Sequence, residues 1–226
     1  MKTPSPLTLS PTTDMLGVID VQPDFMPGGA LPVPHGDKVI GPINTLLTRY
    51  FSQAFATQDW HPKGHCSFAS SHPPHRPLET ISLPYGPQTL WPDHAVQDTP
   101  GARLHPQLTT AAIQLIIRKG THREADSYSA FFDNGHTYST GLAAWLRAQG
   151  IKRLFFCGLA LEYCVLFSAL DAKKAGFEAF VIEDATQALN TPFADGTTSR
   201  QKALKDLSQH SIGLITTQKL RAFKKG

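Results

Sequence analysis

Six short apolar runs alternate with helical patterns along this chain, and that alternation limits the fold more than any other feature. The runs are residues 15–20, 53–59, 113–119, 153–160, 178–184 and 212–217. Runs this short, bounded by Gly, Pro or polar residues, are typical of strands buried on both faces. Between them lie apolar residues at helical spacing. Val39, Ile43, Leu46, Leu47 and Tyr50 follow Asp37, which reads as an N-cap. Leu142, Trp145 and Leu146 mark a helix stopping at Gly150. Val165, Leu166, Ala169, Leu170 and Lys173 mark another stopping at Gly176, and Ala203, Leu204 and Leu207 mark a last one. The expectation is a three-layer α/β/α domain with a central, mainly parallel six-stranded sheet.

The chain has 226 residues, which suits one such domain over residues 14–226, preceded by a loose arm over residues 1–13. With 41% hydrophobic and 17% charged residues, a disordered chain and a coiled coil are excluded. The net charge is only +3. Lys219, Arg221, Lys224 and Lys225 thicken the C-terminus, read either as a solvated tail or as a weak anion contact. No arginine-rich stripe with interleaved aromatics argues for nucleic acid. No apolar run approaches the roughly 18 residues of a membrane span. Three cysteines and a polar, Pro-broken N-terminus suit a reduced, cytoplasmic setting.

In a parallel sheet of this kind, ligands bind beyond the carboxyl ends of the strands, beside a topological switch point. Asp20, Asp59, Lys119 and Cys164 all fall at or just past such ends. Cys164 lies between a strand and a helix, where the helix N-terminus favours the thiolate and nearby N–H groups can bind an oxyanion. It is a nucleophile or a buried structural thiol. Cys157 reads as core, and Cys66 as inert. Asp20 is a base for the thiol or a loop cap, and Lys119 a balancing cation or a surface lysine. Asp59 and His61 form an Asp-x-His pair at a strand end, and His94 follows in WPDH. One carboxylate and two imidazoles suit Zn²⁺, Fe²⁺ or Mn²⁺. With ten histidines present, such a pair also arises by accident. Residues 62–106 lack periodicity and carry Trp91 with His65, His72, His75, His94 and His105. A loop this long reads as a partly ordered wall over the site.

Taken in order, VIDVQPDFMPGGALPVP, TQDWHPKGHCSFAS, LWPDHAVQDTPGARLHP, IIRKGTHREADSYSAFFDN and GLALEYCV cover residues 18 to 165. This set resembles the nicotinamidase/pyrazinamidase family of the isochorismatase-like cysteine hydrolases. The resemblance implies the isochorismatase-like hydrolase fold and a catalytic triad of Asp20, Lys119 and Cys164. It places the metal ligands on Asp59, His61 and His94, and leaves open whether His65 is a further one. It puts an oxyanion hole on the N–H groups of Ala160 and Cys164, with a cis peptide before Ala160. Phe25, Trp91 and Tyr128 match the aromatic walls of the substrate pocket. The implied cofactor is one divalent ion, Zn²⁺ first, with Fe²⁺ or Mn²⁺ as alternatives.

The implied reaction is hydrolysis of nicotinamide to nicotinate and ammonia, and of pyrazinamide to pyrazinoate, within salvage of NAD precursors. The partner is thus a small-molecule substrate, not a membrane or nucleic acid, and homo-oligomerisation stays open. Two departures stand out: Pro23 where the family commonly has Asn, and Glu162 where it has Asp. The alternative is a related Asp-Lys-Cys amidohydrolase acting on a carbamoyl or ureido substrate, though such relatives generally lack the metal set. Vinyl-ether hydrolases of the isochorismatase type lack the nucleophilic cysteine. A metal-binding or redox-sensing module would have no need of the triad.

Overall fold

Side chains of the central strands divide cleanly between two cores, as period-2 geometry requires. In the strand Asp14–Ile19, Met15 and Ile19 join one apolar cluster while Leu16 and Val18 join the other. In Arg153–Gly158, Leu154 and Phe156 face the first cluster, and Phe155 and Cys157 the second. A computed structural model describes residues 6–222. Its strands are β1 (Leu7–Thr8), β2 (Asp14–Ile19), β3 (Ala54–Asp59), β4 (Thr80–Leu83), β5 (Gly86–Thr89), β6 (Ile113–Lys119), β7 (Arg153–Gly158), β8 (Glu178–Thr186), β9 (Gly213–Ile215) and β10 (Leu220–Arg221). Its α-helices are α1 (Ile40–Arg49), α2 (Leu142–Ala148), α3 (Leu166–Lys174) and α4 (Ser199–Gln209).

Six strands form one sheet in the order β6-β3-β2-β7-β8-β9, every pair parallel. Buried residues of α2, α3 and α4 fill the first cluster, and those of α1 fill the second, giving three layers. The chain runs outward from β2 through β3 to β6, then returns to β7 on the other side of β2. The switch point therefore lies between β2 and β7, where a cleft can open between diverging connections. Among the described residues, no helix is long and apolar enough to cross a membrane.

Three expectations need correction. The segment expected as a loose arm is anchored from residue 7. Leu7 and Thr8 pair in parallel with Leu220 and Arg221, and Leu9 is buried. Residues 1–5 lie outside the described residues. Asp37 does not cap α1 with its side chain. It sits inside the 3-10 turn Gly36–Val39, and its carbonyl accepts the Ile40 N–H. Residues 62–106 are also more ordered than their composition suggests. They contain the antiparallel hairpin β4–β5 and bridges pairing His61 with Val96 and Phe68 with Trp91. Phe68, Leu90 and Trp91 are buried, so this wall has an apolar core of its own.

Candidate functional site

Strand register brings the expected residues together. Asp59 and Lys119, the last residues of β3 and β6, are register partners. Asp20 follows β2 at φ +47°. Its N–H donates to Thr57 Oγ1 at 3.0 Å, and the Thr57 hydroxyl donates to Asp20 Oδ1 at 2.5 Å. Gln22 grips Asp59 on both sides, accepting its N–H at 2.9 Å and donating to its carbonyl at 2.9 Å. After β7 comes a cis peptide between Leu159 and Ala160, then a π-turn over Leu161–Val165 that carries Cys164 into α3. Gly158 stands at φ +114°, and a Cβ there would lie 2.1 Å from the Ile19 carbonyl oxygen. Only glycine allows that approach between the ends of β2 and β7.

Lys119 Nζ is the hub. It lies 2.5 Å from Asp59 Oδ1, 2.8 Å from Asp20 Oδ2, 3.0 Å from the Ser127 carbonyl and 3.2 Å from Cys164 Sγ. All four side chains are buried. Burial works against the ammonium, but Asp20 and Asp59 outweigh it and hold Lys119 well above the ordinary lysine value. Burial also pushes Asp59 up, yet Lys119 and His61 win and hold its carboxyl well below the usual range. For Asp20, burial dominates over Lys119, and the carboxyl is raised. Asp20 Oδ2 is buried and, despite its closeness to the ammonium, has no well-aligned hydrogen-bond donor among the described residues.

Cys164 departs from the expectation that a helix start and a nearby cation favour the thiolate. Burial raises the thiol, Lys119 pulls it down, and Asp20 and Asp59 push it up again. The net direction is well above the ordinary value, because one ammonium faces two carboxylates in a desolvated site. A thiol raised in this way keeps its proton, so as a nucleophile it would need a proton acceptor. Ala160 N–H donates to no protein acceptor among the described residues, and no carbonyl before Leu161 takes up the Cys164 N–H. Cys157 is fully buried and its thiol is raised by burial, in keeping with core. Among the described residues no cysteine is paired.

Asp59, His61 and His94 converge beside this hub. Asp59 Oδ2 lies 3.6 Å from His61 Nε2 and 3.7 Å from His94 Nε2. Two ligands about 2.0–2.1 Å from one ion at a tetrahedral angle stand roughly 3.4 Å apart, so the spacing fits a single divalent ion. The remote nitrogens are engaged: His61 Nδ1 lies 3.0 Å from the Gly120 carbonyl and His94 Nδ1 2.8 Å from that of Pro92. Both rings thus turn Nε2 toward Asp59, the outer-shell arrangement of metal-binding histidines. Gly120 stands at φ +62°, and a Cβ there would strike the His61 ring at 2.3 Å. Burial opposes charge on His61, but Asp59 outweighs it and raises the ring. His65 falls in a different group, with His61 and Asp126. Its Nδ1 lies 2.7 Å from Ser67 Oγ and its Nε2 3.3 Å from the Ala125 carbonyl. Burial and His61 pull it down to about 4, so it is neutral.

A cleft opens on both groups, lined by Phe25, Trp91, Tyr128, Asp59, His94, Ala160 and Cys164 among others. Every expected aromatic wall residue is present in it. Sequence reasoning missed Tyr163, whose ring meets Trp91 edge-on at 4.9 Å, and Leu31, Val33, Asp126 and Leu189. It also missed Asp24, whose Oδ2 accepts the Ala95 N–H at 2.7 Å and so fixes the turn after His94. Gln22 and Asp24 both lie within the stretch VIDVQPDF, but polar side chains there carry no signal of what they grip.

A family model for the isochorismatase domain matches residues 14–219. This chain belongs to the nicotinamidase/pyrazinamidase family of isochorismatase-domain proteins. Within it, the nicotinamidase of Acinetobacter baylyi is 51% identical over 173 residues, 76% of this chain and 80% of its own. The crystal structure of PnC1 from L. infantum in complex with nicotinate has TM-score 0.82 and 38% identity. It covers 96% of this chain and 99% of its own. The pyrazinamidase of Pyrococcus horikoshii in complex with zinc has TM-score 0.69 and 36% identity, covering 90% and 98%. The two departures from the family pattern are both accommodated. Pro23 opens the 3-10 turn Pro23–Phe25, where no N–H is needed. Glu162 is buried and accepts from the Asn190 N–H at 2.8 Å, the Ser199 hydroxyl at 2.7 Å and the Leu189 N–H at 3.2 Å.

Proposed function

We propose that this chain hydrolyses nicotinamide to nicotinate and ammonia, and pyrazinamide to pyrazinoate, through a thioester on Cys164. One observation carries the reading: Lys119 gathers Asp20 and Cys164 within 3.2 Å, beside Asp59, His61 and His94, at an aromatic cleft. The nicotinamidase relatives and the nicotinate complex of a structural neighbour support the same substrate.

Cys164 Sγ attacks the carboxamide carbon while its proton passes to Asp20, whose Oδ2 has no other aligned donor. The raised Asp20 carboxyl suits it to hold that proton. The Ala160 and Cys164 N–H groups receive the developing oxyanion, an arrangement worth about 3–4 kcal/mol per donor in other enzymes. Asp20 then gives the proton to the leaving amine, and ammonia departs. Water attacks the thioester carbonyl, Asp20 accepts its proton, and the proton returns to Sγ as nicotinate is released. Lys119 keeps the two carboxylates from repelling each other throughout. Phe25, Trp91 and Tyr128 hold the flat ring and exclude water. Asp59, His61 and His94 would hold a divalent ion, zinc by preference with iron or manganese as alternatives, which would supply a Lewis-acid anchor for the substrate ring. That anchor and the aromatic walls favour a pyridine carboxamide over a carbamoyl or ureido substrate.

The test is ammonia release from nicotinamide by purified protein, before and after chelation. The expected result is turnover that falls on chelation and returns with added zinc. A metal-loaded protein with a free Cys164 thiol and no turnover would refute the reading.

A further inference from the structure

The hairpin β4–β5 lies mostly at the surface, yet it carries one side chain with no exposure, Gln88. Both ends of that amide are engaged. Its Nε2 donates to Asp126 Oδ2 at 2.9 Å and to the Thr89 carbonyl at 2.7 Å, and reaches Tyr128 Oη at 3.3 Å. Its Oε1 accepts from the Tyr85 hydroxyl at 2.9 Å and from Asn134 Nδ2 at 3.3 Å. Tyr128 Oη also accepts from the Trp91 indole N–H at 3.3 Å, and the Tyr128 N–H donates to Asn134 Oδ1 at 2.9 Å. Trp91, Asp126 and Tyr128 all line the cleft. Among the described residues, no hydrogen bond joins Gln88 to Asp20, Lys119 or Cys164.

We propose that Gln88 is a positioning residue for the ring-binding walls, setting Trp91 against Tyr128 so that a planar heteroaromatic amide is gripped. The proposal rests on the hydrolysis reading above. A phenol ring in a cleft can swing about its side-chain torsions, and the buried hydrogen bonds that converge on Tyr128 hold it to one arrangement. Gln88 supplies that specification from an element that the sheet does not need. Breaking it loosens the grip on the ring and leaves the nucleophile's surroundings intact. The effect therefore falls on KM, not kcat.

The experiment compares parent, Gln88→Met, Tyr128→Phe and the double variant in ammonia release from nicotinamide, with circular dichroism and Tm as folding controls. Nicotinate binding is titrated by tryptophan fluorescence in a Cys164→Ala background, a readout independent of turnover. Gln88→Met is expected to raise KM and the nicotinate Kd about tenfold with kcat within about threefold. The double variant should be no worse than about twice the poorer single variant, because both break one linkage. Should Gln88→Met fail to fold, Tyr85→Phe removes only the hydroxyl that donates to Gln88 Oε1 and is expected to raise KM about threefold. KM and Kd within about twofold of parent in the folded variant, or a fall in kcat at unchanged KM, would overturn the positioning role. Multiplying effects in the double variant would overturn it too. Absence of turnover in the parent would instead refute the hydrolysis reading, and this proposal with it.

Discussion

Lys119→Met is the sharpest perturbation of the site. It keeps most of the stem's volume and removes only the ammonium. Lys119 is 1% exposed, and Asp20 and Asp59 around it are 0% and 5% exposed. Without the cation, Asp20 loses its ion-pair partner and faces the Asp59 carboxylate, which keeps only His61 and His94 beside it. Removing one partner of a buried ion pair costs about 3–5 kcal/mol. In a chain of this size, each kcal/mol lowers Tm by roughly 2–4 °C, so the expected fall is about 6–20 °C. Lys119→Met combined with Asp20→Asn removes one of the stranded charges, so the double variant should regain at least about a third of the loss. Differential scanning calorimetry on metal-free and metal-loaded protein measures both. A Tm within about 2 °C of the parent would refute the claim that this ammonium holds the two carboxylates together. So would a double variant whose losses simply add.

Other consequences are as direct. His94→Ala should lose bound metal, measured by elemental analysis, and raise KM for nicotinamide more than it lowers kcat. The two Glu162 oxygens accept separately from the Leu189 and Asn190 N–H groups, so Glu162→Gln leaves one of these N–H groups facing a donor. It should destabilise the fold by about 1–3 kcal/mol in urea titration. Burial pushes the Cys66 thiol up to about 11. Below that value its thiolate fraction, and hence its rate of alkylation, should climb about tenfold per pH unit. Peptide mapping should show that climb at Cys66 and no label on Cys157 at any pH that leaves the protein folded.

The parallel sheet was legible because strands buried on both faces must be continuous apolar runs. For β6 the run 113–119 coincides with the strand at both ends. Asp20, Asp59 and Lys119 were legible for the same reason, since a charged residue closing such a run lands at the sheet's carboxyl edge. The hairpin β4–β5 was not legible. Its strand Gly86–Thr89 contains no large apolar residue, and its fixed point, Gln88, looks in sequence like any loop glutamine. The pairing of β1 with β10 spans two residues each and leaves no periodic trace. The direction of the Cys164 shift is not legible in the sequence, because a helix terminus is a local feature. The opposing carboxylates come from strands 105 and 144 residues away in sequence, a proximity that only the fold creates.

That proximity also predicts that Asp59→Asn, a neutral isostere, abolishes both metal binding and turnover, measured by elemental analysis and ammonia release. Asp59 Oδ1 faces the Lys119 ammonium, while Oδ2 faces His61 and His94. The carboxylate is thus shared between the Lys119–Cys164 half of the site and the half proposed to hold a metal. An asparagine offers one acceptor and one donor. Turned one way it would point N–H groups at an ammonium, and turned the other way at the place where a cation binds. Neither orientation serves both halves. Rotation cannot relieve the conflict either. Register pairing sets Asp59 opposite Lys119, and Gln22 holds both the N–H and the carbonyl of its backbone. On the proposed function, binding of the ring and attack on its carboxamide would therefore be coupled through a single charged group, fixed in place by the strand that carries it.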